Sequence, residues 1–145
     1  MKPTIKKDRD KTPKKTEELH AKAILWKSEI NFINDEIRFL EHILSSNYID
    51  CLAMGLSKRI ETLVKKMSKK KKEGGKILTL INQHEGVLSV LIESDTFSSN
   101  EMFLVSHKNL ENEFDNYLKH YKFIKKHIFK IIEDVMRKKN QKKLK

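Results

Sequence analysis

The stretch SSNEMFLVSHKNLENEFDNYLKHYKFIKKHIFKIIEDV, residues 98–135, decides the fold of this chain. Ser98 and Glu101 form a capping-box pattern, which predicts the start of a helix. After it, apolar side chains and one histidine recur at alternating spacings of three and four residues, the heptad pattern of a helix that packs along another helix. We call such a row of core-facing positions a seam and predict a helix over residues 98–138. The seam consists of Phe103, His107, Leu110, Phe114, Tyr117, Tyr121, Ile124, Ile128, Ile131 and Val135.

Two earlier stretches carry the same pattern. They predict helices over residues 16–46 and 50–92. The seam of the second helix keeps its spacing through Gly74-Gly75, which favours one continuous helix over two helices joined by a lysine-rich loop at residues 68–75. The first seam is Leu19, Ala23, Trp26, Ile30, Ile33, Ile37, Leu40 and Leu44, and the second is Leu56, Ile60, Leu63, Met67, Lys70, Gly74, Ile77, Ile81, His84, Leu88 and Leu91.

Short polar connections between the three seams predict antiparallel neighbours. The fold class is therefore all-α, an elongated antiparallel three-helix bundle or coiled coil over residues 16–138. Leu25, Phe32 and Phe39 follow one another at seven-residue intervals beside the first seam, and we expect them to widen its apolar face. The chain of 145 residues has only two prolines, both within its first 13 residues, which excludes a many-stranded β domain with its frequent turns.

The net charge of +11 is concentrated at the two ends of the chain. Residues 1–15 carry seven Lys and Arg against two Asp, residues 137–145 carry six against none, and the body between them is neutral. We expect disordered basic tails at residues 1–15 and 139–145, which either bind nucleic acid or another polyanion or only keep the protein in solution. The candidate anion-binding side chains are Lys6, Lys7, Lys14, Lys15, Lys138, Lys139, Lys142 and Lys143. Residues 65–76 also carry seven Lys, but without an aromatic residue to stack on bases, so they favour a solvated helix face.

Two histidines interrupt otherwise apolar seams. The turn between the second and third helices centres near Asp95, and His84 and His107 are almost equally far from it, so we expect them to face each other. Facing imidazoles either share a hydrogen bond in a polar layer that fixes the register, bind a divalent metal ion, or form a pH-sensitive switch. The candidate metal ligands are His84, His107, Glu111, Glu85 and His20.

Matching residue levels about the first turn gives a weaker prediction for the first helix. It places His20 nearer Lys76 than His84, about two helical turns short of the histidine pair. The same matching places Trp26 near the level of Lys70. A cluster of all three histidines then forms only if the geometry of the first loop makes up for these two helical turns.

One set of residues extends beyond the seams. It consists of Leu19-His20, Trp26, Glu29-Ile30, Phe32, Asp35-Glu36-Ile37, Phe39, His84-Glu85, His107 and Leu110. This set, which spans about residues 17–130, resembles small uncharacterised helical-bundle proteins of Bacteroidetes-type bacteria. The resemblance implies the fold and a bacterial source, and it implies no activity, because none is established for that group.

No motif in the sequence indicates catalysis. It contains no Gly-rich phosphate loop, Walker pattern or nucleophile elbow, and the single cysteine, Cys51, excludes a disulfide framework. It also has no signal peptide pattern and no apolar stretch near the roughly 20 residues of a membrane span. We therefore expect a cytoplasmic, non-enzymatic, cofactor-free interaction or structural protein. Its partner is another protein, a second copy of the chain, or a nucleic acid or other polyanion reached by the lysine-rich tails, and not a membrane. The alternative is a bundle that binds a divalent metal at His84 and His107.

Overall fold

The structure is a computed structural model that describes residues 2–97 and 100–144, with side chains described over residues 15–97 and 100–141. In these residues the chain forms four α-helices and no strand. They are α1 (Lys2–Ser46), α2 (Tyr48–Ala53), α3 (Ser57–Glu93) and α4 (Glu101–Leu144). The all-α prediction is confirmed, and the number of helices differs from the predicted three.

The core follows the seams predicted from the heptad spacing. Every seam position of α1, α3 and α4 is buried except Leu19, Leu56 and His84, which are half-buried. The buried set includes Lys70 and Gly74, whose residue types alone do not indicate a core position. A three- and four-residue spacing keeps side chains on one face of a helix, so the spacing alone locates the buried face.

The predicted widening of the apolar face of α1 is wrong. Leu25, Phe32 and Phe39 are 55%, 64% and 57% exposed. Each directly precedes a seam residue in the sequence, and one residue turns a helix by about 100°. They therefore point away from the buried face rather than widening it.

The predicted helix over residues 50–92 is interrupted near its start. Gly55 has a φ of 73°, a left-handed conformation that glycine adopts without the steric cost of a Cβ. Beside it, the backbone N–H of Leu56 donates to the carbonyl of Cys51 at 3.0 Å, which closes α2 before α3 begins. Farther along, α3 runs through Gly74-Gly75 without a break, as the unbroken seam predicted.

The start of α4 also differs from the prediction. The predicted cap, Ser98, lies outside the described residues, and the structure shows Asn100 in that role. Its side-chain Oδ1 accepts a hydrogen bond from the backbone N–H of Phe103 at 2.8 Å. An asparagine cap satisfies a free N–H of the first turn as a serine does, so α4 begins at Glu101.

Both ends of the chain are helical where the sequence predicted disordered basic tails. Helix α1 begins at Lys2 rather than Thr16, and α4 continues to Leu144 rather than ending near Lys138. Lysine is a good helix former, and Pro3 stands in the first turn, where the missing N–H of proline is tolerated. The disordered tails are therefore not confirmed.

The described chain divides into two compact units, each of which contains parts of α1, α3 and α4. The first unit comprises the described residues of 1–31 and 75–114, and the second comprises those of 32–74 and 115–145. Among described side chains, the first unit has five Lys and Arg against nine Asp and Glu, a net charge of −4. The second has 17 against nine, a net charge of +8. Over the full sequence, the residues of the first unit sum to zero and those of the second sum to +11, so the second unit carries the whole net charge of the protein.

Two glycine substitutions test the helix boundaries. Replacing Gly55 with Ala should lower the free energy of unfolding by about 1–2 kcal/mol, because a Cβ is disfavoured at its positive φ. Replacing Gly75 with Ala should raise it by about 0.5–1 kcal/mol, because the added Cβ meets no atom within 4 Å and Ala favours a helix. Urea unfolding followed by circular dichroism measures both. Destabilisation by the Gly75 change would contradict a continuous α3.

Candidate functional site: the buried histidine pair

The structure places His84 of α3 and His107 of α4 in direct contact, as their positions around Asp95 predicted. His84 Nε2 and His107 Nδ1 are 2.9 Å apart, a hydrogen-bond distance, and the ring centroids are 5.1 Å apart. One ring nitrogen donates its proton and the other accepts it, so each imidazole satisfies a polar atom of its partner. Since His107 is only 8% exposed, this bond replaces water that its ring cannot reach freely.

Aromatic rings enclose the two imidazoles. His84 stacks on Phe103 with a centroid distance of 4.2 Å and an interplanar angle of 7°. His107 stacks on Trp26 at 5.1 Å, and Trp26 in turn packs against Phe114 at 5.8 Å. The pair is therefore a polar layer set between apolar and aromatic groups of the first unit.

The surroundings keep both imidazoles neutral near pH 7. Burial lowers the pKa of His84, and the nearby Glu85 carboxylate only partly opposes this. Burial also lowers the pKa of His107, where the charged forms of His84, Lys22 and Lys108 add to the effect and Glu111 opposes it. A neutral pair can share one hydrogen bond, whereas two charged rings would repel each other in a poorly solvated site.

The two predicted carboxylates lie nearby, but each is already engaged by side chains other than the histidine pair. Glu85 Oε1 is 3.0 Å from His20 Nδ1, and its other oxygen is 4.0 Å from Lys27 Nζ. Glu111 accepts hydrogen bonds from Lys22 at 2.5 Å and Lys108 at 3.2 Å, and these bonds lower the pKa of its carboxyl. The structure thus brings all five predicted ligands into one unit without converging them on one point.

This arrangement does not form a recognisable metal centre. Among the described residues, no group of three or more His, Cys, Asp or Glu side chains is placed to hold an ion. The two histidines alone supply half of the four ligands typical of a structural zinc site. What the geometry does support is a polar layer that couples the register of α3 to that of α4.

The level matching for α1 was wrong, and α2 is the reason. His20 lies beside Glu85 rather than near Lys76, and Trp26 stacks on His107 rather than lying at the level of Lys70. The helical turn of α2 adds length to the connection after α1, which shifts the residues of α3 that lie opposite α1. A signal for this shift exists in Gly55, the type of residue that ends a helix in a left-handed conformation.

A groove of about 500 Å³ opens beside the pair, between α3 and α4. His84 forms part of its lining, together with the exposed apolar side chains Leu80, Val87 and Met102. The imidazole of His84 is thus reachable from solvent on one side, while His107 stays buried behind it. No motif in the sequence pointed to this groove, because most of its lining residues lie outside the seams.

The candidate anion-binding lysines are only partly described. The side chains of Lys6, Lys7, Lys14, Lys142 and Lys143 lie outside the described residues. Lys15 and Lys138 are exposed. Lys139 is already engaged, since its Nζ lies 2.8 Å from an Asp50 oxygen and donates to Asn47 Oδ1 at 3.2 Å. This ion pair gives Lys139 a partner within the described chain.

Comparisons with protein-family models, with curated proteins and with solved structures find no match to this chain. The resemblance to small bacterial helical-bundle proteins therefore stays an expectation from the sequence. Within the described helices, no segment combines the length and the apolar character needed to cross a membrane.

The histidine pair can be tested by single and double substitution. Replacing His84 alone with Leu should lower the free energy of unfolding by about 1–3 kcal/mol, because it leaves the buried His107 without its partner. Replacing both with Leu should restore the wild-type value or exceed it, since two apolar side chains need no partner. Urea unfolding at about pH 7.5 gives both values. Metal analysis of untagged proteins is the control: a bound metal in the wild type that the double variant lacks would contradict the polar layer.

The pH dependence of stability provides a separate prediction. Unfolding returns His84 and His107 to the ordinary pKa of 6.5, above their folded values, so the unfolded chain binds more protons just below that pH. The pair's contribution to stability is therefore complete above pH 6.5 and declines as the pH falls through it. Glu36 and Glu111 have lowered pKa values, and their contribution is lost only below about pH 4.5.

Between about pH 7.5 and 5, the wild type should lose more stability than the variant with Leu at both histidine positions. Chemical denaturation at several pH values measures the two slopes. Equal slopes would show that other groups produce the pH dependence.

Proposed function

We propose that this protein is a non-enzymatic helical-bundle interaction protein that binds an anionic partner through its second unit. The observation that carries the proposal is the net charge of +8 on the described side chains of that unit. The sequence alone assigned the positive charge to the tails. The structure adds a charged surface on α3 and α4, where rigid helices hold the side chains.

Among the described residues, the acidic side chains of the second unit leave most of its cations without an ion pair. Seven of its nine Asp and Glu side chains pair with a Lys or Arg of the same unit, at distances of 2.6–3.8 Å. This leaves ten cations outside the ion pairs between described residues, all of them exposed. They are Lys58, Arg59, Lys65, Lys66, Lys69, Lys72, Lys119, Lys122, Lys126 and Lys138.

Exposed cations at this density attract polyanions for a general physical reason. Bringing a polyanion onto the surface releases its condensed counterions, and the affinity then falls steeply as salt is added. A protein partner with a strongly acidic surface would be attracted in the same way. Arg and Lys on a helix also lose little backbone freedom on binding, because the helix is already formed.

The proposal includes the arrangement of the helices. We propose that α1, α3 and α4 form an antiparallel three-helix bundle of coiled-coil type, in which Trp26, His84 and His107 bring one residue from each helix to a common level. Contacts in the first unit support this, since Trp26 stacks on His107 and His107 bonds His84. The cytoplasmic location and the function of the terminal lysines in anion binding stay predictions from the sequence.

The alternative function, a metal-binding bundle, has one observation in its favour. His84 and His107 present two neutral ring nitrogens 2.9 Å apart, and neutral imidazole is the form that binds metal ions. Against it, Glu85 is engaged by His20 and Glu111 by Lys22, so a metal would need further ligands from water or from a partner. We therefore propose the polar layer as the role of the pair.

Matched lysine substitutions test where a polyanion binds. Replacing Lys119 and Lys126 of the second unit with Gln should lower the salt concentration at which the protein elutes from immobilised heparin. Replacing Lys15 and Lys76 of the first unit with Gln removes the same charge from exposed positions and should change it much less. Equal shifts of the elution salt concentration in the two double variants would mean that heparin binding depends on the net charge of the protein and not on the second unit. Failure of the wild type to bind heparin at about 0.1 M salt would refute the proposed function.

A further inference from the structure

A groove of about 320 Å³ lies between α3 and α4 of the second unit. Arg59, Thr62 and Lys66 of α3 form one side, and Phe123 and His127 of α4 form the other. The buried side chains of Leu63 and Ile124 also line it. The groove therefore combines cations, an aromatic ring and apolar side chains within one small surface.

The charged side chains that line this groove are both cations. Arg59 and Lys66 are one heptad apart on α3, roughly 10 Å along the helix axis. Neither forms an ion pair with another described residue, and none of the described lining residues is acidic. Two cations held at that spacing on a rigid helix can contact separate negative groups of one ligand.

Phe123 is the unexpected member of the groove. Its side chain is 60% exposed, although it stands on a lysine-rich face of α4 between Lys122 and Lys126. Its ring contacts His127 in a T-shaped arrangement with a centroid distance of 4.5 Å. Covering an exposed apolar ring is favourable because it removes apolar surface from water, and a flat aromatic surface beside cations suits a flat, negatively charged ligand.

We propose that this groove binds single-stranded nucleic acid, with a base stacked on Phe123 and backbone phosphates held by Arg59 and Lys66. The inference rests on the proposed function and names its partner and its site. A single strand offers unstacked bases together with closely spaced phosphates, which matches the groove on both counts. A duplex keeps its bases stacked inside, so it would contact the lysines but gain nothing from Phe123. An acidic peptide would supply charge without an aromatic face.

Fluorescence anisotropy with a labelled 12-nucleotide oligothymidine probes the full-length protein directly. Replacing Phe123 with Ala should weaken binding by about 5- to 100-fold, the effect of losing one base stack. Replacing Phe39 with Ala is the matched control, because Phe39 is 57% exposed in the same unit and lies outside the groove. That control should bind as the wild type does. Circular dichroism verifies that both variants keep their helices.

The charged side of the groove has its own matched pair of variants. Replacing Arg59 and Lys66 with Gln should weaken oligothymidine binding and reduce the slope of log affinity against log salt by about 1.4, because two phosphate contacts are lost. Lys65 and Lys72 are also one heptad apart on α3, but they point roughly 100–140° away from the groove. Replacing them with Gln removes the same charge and should leave most of that slope intact.

The outcomes separate this inference from the proposed function. If the Phe123 and Phe39 variants bind oligothymidine equally well, or if a 12-base-pair duplex or a poly-glutamate peptide binds as tightly as the single strand, the groove inference is wrong. The anionic-partner function would still stand in that case, provided that heparin binding depends on Lys119 and Lys126. If the wild type binds neither heparin nor oligothymidine, both proposals fail. A last variant changes Lys6, Lys7, Lys14 and Lys15 to Gln. If this variant loses more affinity for oligothymidine than the groove variants do, the amino-terminal lysines bind the strand and the groove inference is wrong.

Discussion

Burial of the three seams is the interaction on which the other features of this protein depend. A heptad spacing fixes which side of each helix faces the core, and the faces left over are then fixed as well. Burial of Ile60, Leu63, Met67, Ile124 and Ile128 turns the opposite faces of α3 and α4, with their lysines, towards solvent. Since each buried aliphatic side chain contributes about 1.5–3 kcal/mol, the seams outweigh the weaker preferences of the polar residues between them.

Within the seam, two kinds of polar residue are tolerated by different means. His84 and His107 remain neutral and satisfy each other, so no charge enters the core. Lys70 keeps its stem in a buried position, while its ammonium group reaches Glu73 at 2.8 Å and lies 5.5 Å from the ring centroid of Tyr117. The Lys70–Glu73 bond lies within α3, so it does not depend on the register between helices. The histidine pair does depend on it, because a shift of one heptad would leave a buried imidazole without its partner. Polar residues in a seam thereby specify a register that leucine alone would leave open.

The sequence predicted the core well and the contacts of α1 poorly, for one physical reason. Periodicity depends on residues a few positions apart in one helix, so Ile30, Tyr117 and Ile128 could be assigned to the core without knowing what they touch. Contacts between helices depend on the length of each connection. The connection between α3 and α4 is a short turn around Asp95. The facing positions of His84 and His107 could therefore be found by counting residues from that turn. The connection after α1 contains α2 and Gly55, which no periodic pattern encodes. It changed which residues of α3 lie opposite α1, so Trp26 does not lie at the predicted level of Lys70.

The same reasoning explains why the groove at Phe123 could not be derived from the lysine run. Residues 65–76 contain no aromatic side chain, so their composition alone favours a solvated face. The aromatic ring comes from α4, 47 residues after Lys76, the last lysine of the run. Charge behaves in the same manner: over the full sequence the residues of the first unit sum to zero and those of the second carry the entire net charge of +11, a division that sequence order does not show. A net charge counted along a chain of long helices therefore says little about the surface that a partner meets, because α1, α3 and α4 each contribute to both units.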